Sequence, residues 1–201
     1  MKITMAAFVF LVVAGGGCAG SATSTHYYML APADVAPAAL PAATGQRDVR
    51  IGIRTVDLPR YVERPQIVTR AGANRLEVAE FQQWGEPLRH AMPMILAENL
   101  SRLVPTDQVA VFPWGRGFNP DAQIFVDVWQ FEGTLGGQTA LSARWRIVSR
   151  AGEETASGVS RLAESSGADY ESLVASHSRL VAGLSRDIAE ALRRGGVVSR
   201  R

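Results

Sequence analysis

The sequence predicts an α+β fold: a single-domain sandwich in which a mostly antiparallel sheet carries two main helices packed on it. Three observations lead there. The chain has 201 residues, a length that suits one core, since single cores stop growing only beyond ~250 residues. Apolar residues make up 47% and charged residues 20%, enough apolar surface to build that core and too little charge for a disordered chain. The third is the succession of hydrophobic periodicities, which runs strand, strand pair, helix, strand, three strands, helix.

Met1-Lys2 precedes an apolar run from Met5 to Ala14, which is followed by Gly15-Gly16-Gly17-Cys18. A short positive start, an apolar stretch and small residues have the anatomy of an export signal, here residues 1–17. The run is too short for a spanning helix, which needs ~20 apolar residues. Cys18 is the single cysteine, so an intramolecular disulfide and a cysteine-cluster metal site are both excluded. Residues 18–25 then read as a small, polar tether. The folded domain is expected over 26–195, followed by a tail at 196–201.

Tyr27-Tyr28-Met29-Leu30 has strand composition. Pro32, Pro37 and Pro41 among alanines mark the stretch to Gln46 as a loop or extended arm. Val49, Ile51 and Ile53 alternate with Arg50, Gly52 and Arg54, a half-buried strand that Leu58-Pro59 ends. Ile67-Val68 and Leu76-Glu77-Val78 flank Arg70 to Asn74 as a hairpin. Glu86-Pro87 opens a helix with proline at its first position. Leu88, Met92, Ile95, Leu96, Leu100 and Leu103 form the stripe of that helix, Pro93 is expected to kink it, and Pro105 closes it. Val109 to Phe112 is a short strand. Ile124, Val126, Val128 and Gln130 alternate with Phe125, Asp127 and Trp129. Gly136-Gly137 turns into the strand of Leu141, Ala143, Trp145 and Ile147, and Ala151-Gly152 turns into a polar strand from Glu154 to Ala163. These three make an antiparallel meander. Asp169 caps a last helix whose face carries Tyr170, Leu173, Val174, His177, Leu180, Val181, Leu184, Ile188 and Leu192. Arg193 and Arg194 lie in its final turn and Gly195 ends it.

Charge and motif content bound the function. The net charge of +2, from 21 basic and 19 acidic residues, argues against a nucleic-acid binder held by phosphate neutralisation. His26, His90 and His177 are far apart, and no His-Glu-x-x-His pattern occurs, so zinc has little support. His177 reads as a hydrogen-bonded core histidine. With Lys2 as the only lysine, a phosphate-binding P-loop is excluded. The Gly-x-Ser-x-Gly elbow of serine hydrolases is also missing.

The densest segment runs from Val56 to Arg70. Two prolines frame Arg60, Tyr61 and Arg64 between strands, a stiff platform that continues through Gln66 to Arg70, and Trp84 follows at the mouth of the first helix. These residues form a candidate partner or assembly surface, because arginine and aromatic side chains concentrate binding energy at interfaces. Two readings stay open. Trp84 either borders the patch or fills a corner of the core, and the arginines either bind a partner or brace the loop.

The same residues carry a resemblance. Leu58-Pro-x-Tyr61, Arg64-Pro-Gln-Ile-Val-x-Arg70, Trp84-x-Glu-Pro-Leu88 and Ala97-Glu-Asn-Leu100, with Tyr27-Tyr28-x-Leu30 and Val111-Phe-Pro-Trp114, resemble the ABC-type transport auxiliary lipoproteins of the PqiC/YmbA type. Cys18 resembles the lipobox cysteine of bacterial lipoproteins, although Gly15 stands where that pattern usually has an aliphatic residue. The resemblance implies acylation at Cys18, with no cofactor beyond that covalent lipid. It also implies a lipid anchor on the periplasmic face of the outer membrane, since no Asp follows the cysteine. It further implies a non-catalytic accessory role in an MCE-type transport system for lipid or another hydrophobic compound. The implied partners are an MCE-domain protein and further copies in a homo-oligomeric ring. The alternative readings are a stand-alone periplasmic lipid-binding lipoprotein and an envelope hydrolase.

Overall fold

The computed structural model describes residues 24–32, 34, 49–104 and 106–195. The signal, Cys18, most of the tether and of the proline-bearing stretch, Pro105 and the 196–201 tail lie outside the described residues.

The strands are β1 (His26–Tyr28), β2 (Ile51–Asp57), β3 (Gln66–Gly72), β4 (Arg75–Trp84), β5 (Val109–Val111), β6 (Ala122–Gly133), β7 (Gln138–Ser149) and β8 (Glu154–Ser165). The helices are α1 (Leu88–Leu103) and α2 (Tyr170–Arg194). Strand composition at Tyr27-Tyr28 thus does produce a strand. The hairpin turn is tighter than expected, with Gly72 and Arg75 paired across Ala73-Asn74. Pro87 is the residue before α1 and not its first residue, a shift of one position within the ordinary blur of helix ends. The helix continues through Pro93, which is buried within it.

The eight strands form one curled sheet in the order β1-β4-β3-β6-β2-β5, with β7 on β6 and β8 on β7. The expectation of a mostly antiparallel sheet needs correction: the sheet is mixed. β3–β4, β6–β7 and β7–β8 are antiparallel, whereas β1–β4, β2–β5, β2–β6 and β3–β6 are parallel. A parallel neighbour requires a crossover connection. Helix α1 supplies it here, returning the chain after the β3–β4 hairpin so that β5 runs alongside β2. Strand β6 is the junction of the sheet. Its first half pairs with β2, its last residue with β3, and nearly all its length with β7.

Both helices pack on one face of this sheet, α2 against β6, β7 and β8 and α1 against β2, β5 and α2. The α2 stripe behaves as its periodicity demands: Leu173, Leu180, Val181, Leu184, Ile188 and Leu192 are all buried. The Asp169 carboxylate accepts the Ser172 N–H at 2.7 Å, and Arg193 and Arg194 sit in the last turn. Serines on the buried side of α2 satisfy their hydroxyls on their own helix, Ser178 donating to the Val174 carbonyl and Ser185 to that of Val181. Such residues keep the helix surface low without orphaning a polar group. Asn99 of α1 reaches Ser185 at 3.1 Å, tying the two helices together.

Candidate functional site

The β2–β3 loop, residues 58–65, is a wound turn. Val62 N–H donates to the Pro59 carbonyl at 3.0 Å and Glu63 N–H to that of Arg60 at 3.3 Å. The Val62 side chain is buried and pins the loop to the core. Tyr61 points inward, and its hydroxyl donates to Glu132 Oε2. That carboxylate, 1% exposed, is the hub of a network. Arg70 donates to Oε1 through Nε and Nη2, each at 2.7 Å, Gln130 Nε2 donates to Oε1 at 3.0 Å, and the Phe131 N–H donates to Oε2 at 3.1 Å. Burial works against the charge, but the hydrogen bonds from Tyr61, Arg70 and Gln130 outweigh it and hold the Glu132 pKa below the ordinary carboxylate value. The Tyr61 phenol moves up, first by burial and then because its proton is held by Glu132.

Trp84 lies at the end of β4, 7% exposed. Its backbone N–H donates to the Pro65 carbonyl at 2.7 Å. Its ring meets His177 edge-on with centroids 5.8 Å apart. His177 is itself buried, stands 4.5 Å from the Phe131 ring, and places Nδ1 2.9 Å from the Leu173 carbonyl. The carbonyl can only accept, so Nδ1 carries the proton. Burial lowers the His177 pKa to about 4, and the ring is neutral at pH 7. The reading of His177 as a hydrogen-bonded core histidine agrees with this geometry.

Above Trp84 opens a cleft of about 400 Å³. One wall is Glu63, Arg64 and Pro65 of the β2–β3 loop, the other runs from Gln83 to Arg89 at the β4–α1 junction, and Tyr27 of β1 stands at the end. Apolar groups (Trp84, Leu88, Pro65, Pro87) alternate with charges of both signs (Glu63, Arg64, Glu86, Arg89). The six residues singled out by sequence are therefore divided. Arg64 and Trp84 share the cleft, and half-buried Gln66 pairs in register with its lining residue Gln83. Tyr61 and Arg70 converge instead on Glu132, and Arg60 is exposed on the loop. Trp84 meets both readings: its ring packs on His177 in the core, and the small part that stays exposed lines the cleft.

Glu132 is the residue that sequence reasoning passed over. The ladder of β6 with β7 shifts register between Val128 and Gln130, a bulge that exchanges the faces of the strand. Before it, Ile124, Val126 and Val128 are the buried set; after it, Phe131 takes that side and Glu132 projects oppositely. The available signal was the break itself, since Phe131 stands out of phase with the earlier apolar positions.

Among the described residues no group of three or more His, Cys, Asp or Glu side chains is placed to hold a metal. No helix of the described residues is long and apolar enough to cross a membrane.

This architecture, two helices on one face of a curled mixed sheet, is shared with solved structures. One is the crystal structure of an uncharacterised protein, 20% identical, which superposes with a TM-score of 0.69 over 85% of this chain and 100% of that one. Another is protein XCC0632 from Xanthomonas campestris, of family DUF330, 16% identical with a TM-score of 0.67 over 86% of this chain and 97% of that one. Among curated proteins no sequence match is found. The fold class is thus that of small α+β sandwich domains. More particularly, the chain belongs to the ABC-type transport auxiliary lipoprotein component family, whose model matches residues 28–189.

Proposed function

We propose that this protein is a non-catalytic accessory lipoprotein of an MCE-type system, ABC-associated or Pqi-like, that moves lipid or another hydrophobic compound between the inner and outer membranes. Acylated at Cys18, it is held on the periplasmic face of the outer membrane and works by docking, to an MCE-domain protein and to further copies of itself in a ring. One observation carries the reading. The motifs that bear the family resemblance, Arg64-Pro65 and Trp84-x-Glu86-Pro87-Leu88, are distant in sequence yet line a single cleft. The cleft is stiff, because both its walls contain proline and Trp84 is pinned by the Pro65 carbonyl. It presents charge over an apolar floor, the composition of a docking site in which preorganised side chains lose little entropy on binding.

The test is a pull-down from solubilised envelope with the parent chain and with Arg60→Ala combined with Arg64→Ala. The double variant is expected to lose MCE-domain protein or self-assembly while its melting temperature moves by only a few degrees. Equal recovery by parent and variant, or a loss that tracks unfolding, makes the segment scaffold. The apolar floor also favours the stand-alone lipid binder as a second reading. Stoichiometric lipid retained in native mass spectrometry after gentle extraction would decide for it.

A further inference from the structure

The helices cover one face of the sheet; the opposite face of β2, β6 and β7 carries three arginines set on aromatic rings. In the β6–β7 ladder Phe125 is opposite Arg146 and Asp127 opposite Arg144. The Arg146 Cζ lies 3.9 Å from the Phe125 ring centroid, and the Arg144 Cζ 5.5 Å from that of Trp129. Beside them, at the β2 bulge, the Arg54 Cζ lies 3.8 Å from the centroid of Phe112 and 5.7 Å from that of Trp114. Gly52 makes the room for Trp114, since a Cβ there would stand 2.7 Å from the indole. Phe112 and Trp129 remain 45% and 44% exposed. Among the described residues none of the three arginines has a carboxylate within ion-pair distance, although Asp127 is the register partner of Arg144.

We infer that this face docks a protein partner through an acidic segment, at a surface separate from the cleft. A guanidinium resting on a ring is already oriented, and its in-plane N–H donors are left for a bidentate carboxylate. Arginine and tryptophan that give up little freedom on binding are the types that dominate interface energetics. The acids of the same face choose among anionic partners. Asp57 and Asp127 are lateral neighbours in the parallel β2–β6 ladder and project to one side. An anionic bilayer or a polynucleotide would press phosphates onto that carboxylate pair. A polypeptide can set glutamates over the arginines and a lysine over the aspartates. Each ring, moreover, has a guanidinium over it, so an acyl chain seated there would bring apolar surface against a charge and strip its water.

The experiment titrates the full-length protein in detergent micelles with a fluorescent peptide of glutamates around one central lysine. Arg144→Ala with Arg146→Ala is expected to weaken binding about tenfold or more, the scale of one interface hot spot. The lysine pair Arg144→Lys with Arg146→Lys keeps the charge without the planar group and is expected to fall between. Arg186→Ala, on the exposed side of α2, and Arg64→Ala in the cleft leave binding unchanged, which separates this surface from the docking proposed for the cleft. Equal binding by the alanine pair with an unchanged melting temperature overturns the inference. So does capture on phosphatidylglycerol vesicles that the same two arginines control, which makes the face a membrane contact. Loss of self-association in sedimentation, with peptide binding retained, assigns the face to a second copy and overturns it too.

Discussion

Replacing Glu132 by glutamine changes one atom and tests whether the β2–β3 loop is braced by a charge. The carboxylate accepts from Tyr61, twice from Arg70, from Gln130 and from the Phe131 N–H. Glutamine offers one acceptor oxygen and an NH2 group that faces donors. Removing one partner of a buried ion pair costs ~3–5 kcal/mol, because the other charge is stranded. Arg70 keeps 34% of its side chain in solvent, so its freed guanidinium reaches water by a small rotation and the loss falls at or below the low end, about 2–3 kcal/mol. For a domain of this size that is a drop in melting temperature of about 5–10 °C, read by circular dichroism together with urea denaturation. Tyr61→Phe, which deletes one donor and leaves the Phe131 N–H in place, is expected to cost about 1 kcal/mol. The sign of the pH dependence follows from the direction of the shift. The folded-state pKa of Glu132 is lowered from its ordinary value of 4.5, so its contribution is complete above that pH and disappears as acid titrates it through the folded value. The gap between parent and Glu132→Gln therefore closes in acid. A variant within about 0.5 kcal/mol of the parent at pH 7, inside the range of an ordinary surface change, refutes the brace. A gap that is constant down to pH 3 does so as well.

His177 makes the second pH prediction: with its pKa lowered from 6.5 to about 4, its stabilising effect is present above pH 6.5 and is lost as the pH falls toward 4, by about 3 kcal/mol in all. His177→Gln should flatten that stretch of the stability curve, and an unchanged slope would show that the ring is not held neutral by burial. Leu180→Ala, at a position that is 1% exposed, should cost about 2–5 kcal/mol as a large-to-small core change, and a cost below about 0.5 kcal/mol would mean that the α2 face packs on nothing. Cys18→Ser should leave an uncleaved or soluble chain whose folded domain melts like the parent's. Membrane fractionation identical to the parent's would remove the lipid anchor from the proposal.

What the sequence disclosed and what it withheld divide by the range of the interaction. The α2 stripe, its Asp169 cap and its terminal arginines are local, and they were legible because a helix is specified by residues three and four apart. The β6–β7–β8 meander was legible because Gly136-Gly137 and Ala151-Gly152 lie between alternating runs. The mixed sheet was not, since nothing in β2 announces that its neighbours are β5 and β6 at the far side of a hairpin and a helix. For the site, proline spacing and residue type pointed to Arg64 and Trp84, and the cleft unites them. Tyr61 and Arg70 looked equivalent to these in sequence but are claimed by Glu132, whose own position depends on a bulge that inverts the strand's faces. The arginine–aromatic pairs were illegible for a similar reason: Arg144–Trp129 and Arg146–Phe125 exist only once β6 and β7 are in register, and Arg54 meets Phe112 and Trp114 only once β2 lies beside β5.

Strand β6, the junction of β2, β3 and β7, also sets an order of events. A chain delivered from its N-terminus presents β2 before β5 and β6, and β3 has only its own hairpin until residue 133 follows. Closing such distant pairs costs loop entropy before any contact repays it. During that interval the apolar Ile51 and Ile53 of β2 have no lateral partner, and an unpaired strand invites association with other chains. The C-terminal meander, whose β6–β7 and β7–β8 ladders join near neighbours, closes its pairs at a low loop cost.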